Sequence, residues 1–300
     1  MSTVFLTGGS GFVGRAVLRT LRQEGYRVRC LLRPGAERRL PIREGVDVVP
    51  GEVTAPGAWG KALAGCDAVI HLVGIIREFP GRGITYERLH VQGTRHLLEA
   101  ARAAGVGRHV QMSALGTRPG AVSGYHRTKW QAEEAVRASG LRWTIFRPSI
   151  IFGPEDEFVN MLAGMIRRLP VVPVIGDGRY RLQPVAVENV ADGFVRALST
   201  EGAVGQTYDV AGPEPFEFNR LLDLIGEALG RRRVRKLHQP LGLMRPLVRV
   251  FQRVPFFPLT LDQLTMLEEE NVADPTLFAR AFGITLTPFA EGIRRYLTPA

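Results

Sequence analysis

Cysteine and lysine are both scarce in this chain. Only Cys30 and Cys66 occur in 300 residues, far apart and in apolar settings. That spacing argues against a disulfide framework and a thiolate zinc site, and the pair reads as two small buried hydrophobes. The six histidines show no HxH or HExxH spacing, and the carboxylates form no loop signature, so no metal is expected. No apolar run approaches the roughly 18 residues of a spanning helix. The first expected strand opens at Thr3, which leaves no room for a cleavable leader. Together these absences point to a cytoplasmic protein, or one held peripherally on the inner face of a membrane.

Acid is missing from one long stretch. From Arg231 to Arg253 there are eight basic residues and no Asp or Glu. The formal charge is +10, yet outside that stretch 31 basic residues face 29 acidic ones. A charge confined to one segment is not a nucleic-acid footprint, and basic strands interleaved with aromatics are absent too, so no nucleic-acid partner is expected. Hydrophobic residues at 45% and charged residues at 23% exclude a disordered or fibrous chain.

Up to about residue 150, short apolar runs alternate with helical patterns. Strands are expected at Val4–Leu6, Arg27–Leu32, Val46–Val49, Ala68–Val73, His109–Met112 and Trp143–Phe146. Helices are expected over Phe12–Glu24, Trp59–Ala64, Tyr86–Ala104 and Tyr125–Ala138. Near-continuous apolar strands in strand–helix alternation predict an α/β fold, a Rossmann-type doubly wound parallel sheet. Beyond 150, Gly and Pro become frequent and helices at Val159–Arg168, Val190–Leu198 and Phe218–Leu229 alternate with short extended pieces. A nucleotide-binding domain over 1–150 and a smaller C-terminal α/β lobe over 151–300, for substrate or partner and interwoven with the first, follow from that change.

Thr7-Gly8-Gly9-Ser10-Gly11-Phe12-Val13-Gly14 joins the first strand to the first helix. Gly8 permits a tight turn, Gly11 lets backbone approach a pyrophosphate, and Gly14 lets helix pack on sheet. The helix N-terminus adds free N–H groups and a positive dipole end. Thr7, Gly8, Gly11, Phe12, Val13 and Gly14 are therefore candidate cofactor contacts. An acid about 20 residues past such a turn usually holds the ribose 2′-hydroxyl. Here Arg33 stands there, with Arg29 nearby. A guanidinium suits a 2′-phosphate, so NADP(H) is expected ahead of NAD(H); a solvated loop arginine is the alternative.

Tyr125 and Lys129 form YxxxK, which on a helix shares one face. The ammonium is expected to favour phenolate and lower the tyrosine pKa, as a proton donor or acceptor requires. Ser113, at the end of the fifth strand, is placed to polarise a carbonyl beside Tyr125.

Ser113, Tyr125 and Lys129, with the GxxGxxG turn, resemble the short-chain dehydrogenase/reductase superfamily in its extended or atypical branch. Closer likeness is carried by His71-Leu72-Val73-Gly74-Ile75-Ile76, by Arg147-Pro148-Ser149-Ile150-Ile151-Phe152-Gly153-Pro154-Glu155-Asp156, by Gly176-Asp177-Gly178, and by Gln183 to Ala191. They are similar to the subgroup holding the NAD(P)H-binding accessory subunit of respiratory complex I and its bacterial relatives. The likeness covers residues 3 to about 230, then continues loosely through Pro255–Thr260 and Asp262–Leu264.

The resemblance implies hydride transfer to or from a lipophilic or quinone-related small molecule, with Tyr125 as acid/base. Lys129 would also bind the nicotinamide ribose, and Ser113 would orient the substrate oxygen. It further implies Glu52 near the adenine and Val73, Gly74, Pro148 and Ser149 beside the cofactor. One departure is His90, which stands where extended members carry a relay Asn; a substitute relay and a packed histidine both stay open. Two other functions also stay open. One is a redox-silent nucleotide-binding structural or assembly subunit at a membrane. The other is a sugar-nucleotide epimerase or dehydratase, with Arg181 as phosphate ligand.

Met244, Leu247, Val248, Phe251 and Val254 fall at helical spacing beside Arg245, Arg249 and Arg253, with Pro246 near the expected start. For 241–258 an anionic membrane, a membrane-complex partner and an ordinary helix over the substrate pocket are the readings. Oligomeric state is not legible.

Overall fold

The computed structural model describes residues 2–55, 57–251 and 260–297. In chain order come β1 (Thr3–Thr7), α1 (Phe12–Gln23), β2 (Arg27–Leu32), β3 (Val46–Pro50), β4 (Ala68–His71), α2 (Gly93–Ala103), β5 (Arg108–Met112), α3 (Gly124–Arg137) and β6 (Arg142–Pro148). The chain then builds β7 (Ile151–Phe152), α4 (Phe158–Arg168), β8 (Val172–Ile175), β9 (Arg181–Leu182) and β10 (Val185–Ala186). It continues through α5 (Val187–Arg196), β11 (Gln206–Val210), β12 (Phe216–Glu217), α6 (Phe218–Ala228) and β13 (Lys236–Gln239). It ends in α7 (Leu241–Phe251), α8 (Leu261–Glu268), α9 (Thr276–Phe282) and α10 (Phe289–Arg294).

Two compact units result. The first takes Met1–Pro148, Val187–Val210 and Thr276–Thr285, and the second takes Ser149–Ala186, Ala211–Pro275 and Leu286–Ala300. The first unit holds a seven-stranded sheet in the order β11-β6-β5-β4-β1-β2-β3, with every pairing parallel. Strand order reverses between β1 and β4. The crevice beyond the carboxyl ends of strands at such a reversal is where doubly wound sheets take their ligands.

Alternation along the strands sorts the core. Phe5, Leu31 and Val69 pack with Trp59, Leu97 and Ala101, and the Phe5 and Trp59 rings stack at 6.2 Å. Elsewhere in this unit Phe146 gathers Phe194, Tyr208, Phe278 and Phe282 within 4.9–5.8 Å of its centroid. The Phe278 ring also occupies the space over Gly193, where an added Cβ would lie 2.5 Å from it. The returning segments thus complete the core of the first unit.

Two expected helices differ. Trp59–Ala64 is a 3₁₀-helix over Ala58–Leu63. Tyr86–Ala104 is not continuous α-helix: Glu87–Gln92 is π-helical and runs into α2. The second unit packs Phe152, Leu162, Val174, Phe218, Leu222 and Phe289 among others into its own core. Three two-stranded pairs surround it, β7 with β10, β8 with β13 and β9 with β12. Its Asp156 is buried and accepts hydrogen bonds from the N–H groups of Gly153 and Val159 and from the Tyr296 hydroxyl. Those bonds tie the Gly153–Asp156 segment to the first turn of α4.

Helix α7 starts at Leu241, so Pro246 lies inside it rather than near its start. The readings placed on Arg253, Val254 and Pro255–Leu259 lie outside the described residues.

Truncating the ring that joins α9 to the Phe146 cluster tests this account of the first unit. Phe278→Ala is expected to cost about 3–5 kcal/mol, read as a lowered urea midpoint.

Candidate active site

The glycine turn sits at the sheet's reversal point. Gly8 adopts φ 79°, and its carbonyl accepts the Gly11 N–H at 3.0 Å. A Cβ on Gly14 would lie 2.0 Å from that carbonyl oxygen and 2.7 Å from Gly9 Cα, so only glycine lets α1 come this close. A Cβ on Gly8 would lie 3.1–3.2 Å from backbone and Cβ atoms of Leu72 and Val73. The turn therefore abuts the end of β4. Gly11 is the N-cap of α1, and no side-chain hydrogen bond caps the helix there. Thr7 is buried and its hydroxyl bonds His71 Nδ1, so it holds β1 to β4.

The two arginines after the turn behave differently. Arg29 donates to the carbonyls of Ala62 (2.8 Å) and Ala64 (2.6 Å), and is spent on structure. Arg33 is exposed immediately after β2. Glu52 is exposed two residues past β3.

Ser123 caps α3 by accepting the His126 N–H at 3.1 Å. From there Tyr125, Lys129 and Glu133 form one buried stripe at i, i+4 and i+8. Lys129 Nζ donates to the Met112 carbonyl at 3.2 Å, and a Cβ on Gly74 would sit 2.9 Å from it. The ammonium thus lies across the ends of β4 and β5, next to the segment that abuts the glycine turn. Burial pushes the Tyr125 phenol up to about 12. Burial also pushes Lys129 down to about 8, with Glu133 countering. The expected lowering of the tyrosine pKa is therefore corrected: desolvation sets the direction, and it is upward.

His90 is buried within the π-helical turn, a deformation common at functional sites. Its Nε2 accepts the Ile75 N–H at 3.2 Å, and Nδ1 bonds the Thr128 hydroxyl at 3.0 Å. Burial and the Lys129 charge hold its pKa well below the ordinary value. The ring stacks on Tyr86 at 5.4 Å and meets Tyr125 edge-on at 5.4 Å. With both nitrogens engaged, His90 braces Tyr125 as a neutral packed ring.

Ser113 is buried immediately after β5. Its hydroxyl donates to Glu133 Oε1 at 2.5 Å. Glu133, fully buried, also accepts both arms of Arg147 (2.8 and 2.6 Å) and Arg137 at 2.6 Å. Sequence reading passed over Glu133; the signal available was a carboxylate four residues past Lys129, on the buried stripe. Pro148 ends β6 and accepts the Leu115 N–H at 2.9 Å. Ser149 belongs to the second unit, where its hydroxyl donates to the Gln183 carbonyl. Arg181, considered as a phosphate ligand, is held by Glu270 in a two-pronged ion pair at 2.8 and 2.6 Å. Near Tyr125 in sequence, Val122 is exposed, as are Ile76 and Phe79 in the loop whose Ile75 N–H meets His90.

Fold and turn together define an α/β protein of the Rossmann class. Residues 4–211 match the NAD dependent epimerase/dehydratase family, and the chain belongs to that family of NAD-dependent enzymes. It is 35% identical to the ceramide reductase of Caulobacter vibrioides over 66% of this chain, and spans 61% of that relative's length. It is 31% identical to the NADH dehydrogenase [ubiquinone] 1 alpha subcomplex subunit 9 of Arabidopsis thaliana, over 90% of this chain and 69% of the relative. It is 30% identical to the 3 beta-hydroxysteroid dehydrogenase/Delta 5-->4-isomerase of Mycobacterium tuberculosis, over 77% and 70%. The fold matches UDP-glucose 4-epimerase of Thermotoga maritima with TM-score 0.76 at 20% identity, over 99% of this chain and 97% of that one.

Removing the buried carboxylate leaves Arg147 and Ser113 without their partner. Glu133→Ala is expected to cost about 3–5 kcal/mol by urea denaturation, and replacing Glu133 and Arg147 together by Met to recover most of it.

Proposed function

We propose that this chain is an NADP(H)-dependent oxidoreductase of the short-chain type, acting on a lipophilic or quinone-related carbonyl or alcohol. The observation that carries the reading is the position of Lys129 Nζ, one helical turn from Tyr125 and against the β4 end that touches the glycine turn. The glycine cradle and the open α1 N-terminus fit a pyrophosphate. Gly8, Gly11, Phe12, Val13 and Gly14 would hold it, with Thr7 supporting the turn, Val73 and Gly74 beneath the nicotinamide, Glu52 toward the adenine, and Pro148 and Ser149 bordering the site. When bound, the nicotinamide supplies or accepts the hydride.

Tyr125 does the proton work. With its phenol pushed up to about 12 it holds its proton near neutrality, which suits donation to a carbonyl oxygen as reduction proceeds. Lys129 binds the ribose and, with its pKa near 8, sits close to its own titration. Ser113, whose proton goes to Glu133, offers a lone pair and so orients a substrate hydroxyl. The apolar substrate class is supported by exposed Ile76, Phe79 and Val122, and by relatives named for ceramide and a steroid. NADP(H) preference rests on exposed Arg33 with no acid in its place.

A second reading, a redox-silent nucleotide-binding subunit of a membrane complex, is favoured by one observation. Relatives named as NADH dehydrogenase subunits align over 90–98% of the chain. The same relatives support a membrane-side partner for 241–258.

Tyr125→Phe is expected to keep nucleotide affinity and lower NADPH turnover with lipophilic ketones or quinones by about 100- to 10,000-fold. Unchanged turnover sinks the catalytic assignment. No turnover in the parent chain, with nucleotide that does not exchange, favours the second reading. Arg33→Asp is expected to shift the NADPH/NADH affinity ratio toward NADH by about tenfold or more; an unchanged ratio removes Arg33 from the site.

A further inference from the structure

The acid-free stretch has no part in the chemistry above, yet it shapes the second unit. A cavity of about 720 Å³ opens between α6 and residues 231–238. Six cations line it against two carboxylates, and both carboxylates are engaged: Asp223 by Lys236 at 2.5 Å and Glu227 by Arg220 at 2.7 Å. Arg232, Arg233 and Arg235 are exposed and have no acidic partner among the described residues. Three guanidinium groups in four residues repel one another, and a phosphate matches their planar forks.

Apolar side chains lie next to these cations. A smaller cavity of about 70 Å³ shares Arg231, Arg233 and Arg235 and is walled by Ile166, Leu169, Pro170 and Val172. Leu237, on β13, is 57% exposed. Past Pro240, α7 turns Val248 fully inward but leaves Leu243, Leu247 and Val250 at 71%, 43% and 69% exposure. Those three fall at i, i+4 and i+7, one stripe of a helix. Arg245 and Arg249 are exposed on the same helix. A free phosphate or an RNA would answer the cations and leave the apolar stripe in water; a bilayer with anionic headgroups answers both.

We propose that residues 231–236 and α7 form one docking face for an anionic phospholipid surface. Headgroup phosphates enter the arginine-lined cavity, and Leu243, Leu247 and Val250 reach the acyl boundary. The proposal rests on the membrane-side reading of the partner and is independent of the redox reading. It extends the contact from α7 back to the arginines before it.

Vesicle flotation of the full chain tests it. Binding is expected to vesicles of phosphatidylcholine and phosphatidylglycerol in equal parts, weakening as salt is raised. Arg232→Gln/Arg233→Gln/Arg235→Gln is expected to lower partitioning by about 100-fold. Leu243→Ser/Val250→Ser should lower it as well, with far-UV circular dichroism unchanged because both positions are exposed. No flotation at low salt overturns the proposal and the membrane-side reading together. Flotation that ignores the arginine changes, or that is equal on pure phosphatidylcholine, overturns the arginine site alone. Binding to a single-stranded RNA in place of vesicles overturns it in favour of a nucleic acid. NADPH turnover measured on the same preparation reports separately on the redox reading.

Discussion

The buried Glu133 carboxylate is the constraint on which the site depends. One side chain receives the Ser113 hydroxyl from the end of β5, both arms of Arg147 from β6, and Arg137 from its own helix. It therefore pins α3 to two neighbouring strands. Desolvating such a pair is expensive, and an apolar replacement of equal volume is often as stable. What the ion pair adds is direction. Apolar contacts would let α3 slide or rotate by a fraction of a turn, whereas the paired fork of Arg147 fixes one register. Tyr125 and Lys129, on the same stripe, inherit that register.

Around Lys129 the electrostatics are asymmetric. It is a buried cation with a carbonyl for partner; Glu133 lies one turn further along its helix, and His71 of β4 and His90 of the π-helical turn feel the same charge. His71 and His90 both stay neutral, because burial opposes their charging and the ammonium adds to it. His71 Nε2 and His109 Nδ1 are buried without a protein partner among the described residues. A second positive charge is thereby kept away from Lys129. Lys129 itself is drawn toward neutrality by the same burial, so the site holds a single, weakly held proton on a cation beside a phenol that keeps its own.

The glycine turn and the parallel sheet were legible because their causes are local. Gly8, Gly11 and Gly14 are demanded by a turn that spans eight residues, and strand–helix alternation predicts a doubly wound sheet without long-range information. Glu133 was not legible, since its meaning arises only where β5, β6 and α3 meet. The sign of the Tyr125 shift was misread for a related reason: spacing shows which charge is near but not how dry the place is. Arg29 and Arg33 looked alike in sequence, and only the carbonyls of Ala62 and Ala64 separate them. The segments 187–210 and 276–285 rejoin the first unit through the Phe146 cluster, which requires contacts more than a hundred residues apart.

The scarcity of lysine now has a physical reading. Arginine serves this chain as a staple: Arg22, Arg108 and Arg196 each tie down two or more backbone carbonyls, a task for a planar fork with several donors. The three lysines are used otherwise. Lys236 makes a single-point pair with Asp223, Lys61 stands exposed, and Lys129 occupies the site. An arginine at 129 would remain charged at any ordinary pH and would crowd Gly74, where the ammonium already approaches a notional Cβ to 2.9 Å. A compact cation whose proton burial can loosen fits that position, and lysine is the side chain that supplies it.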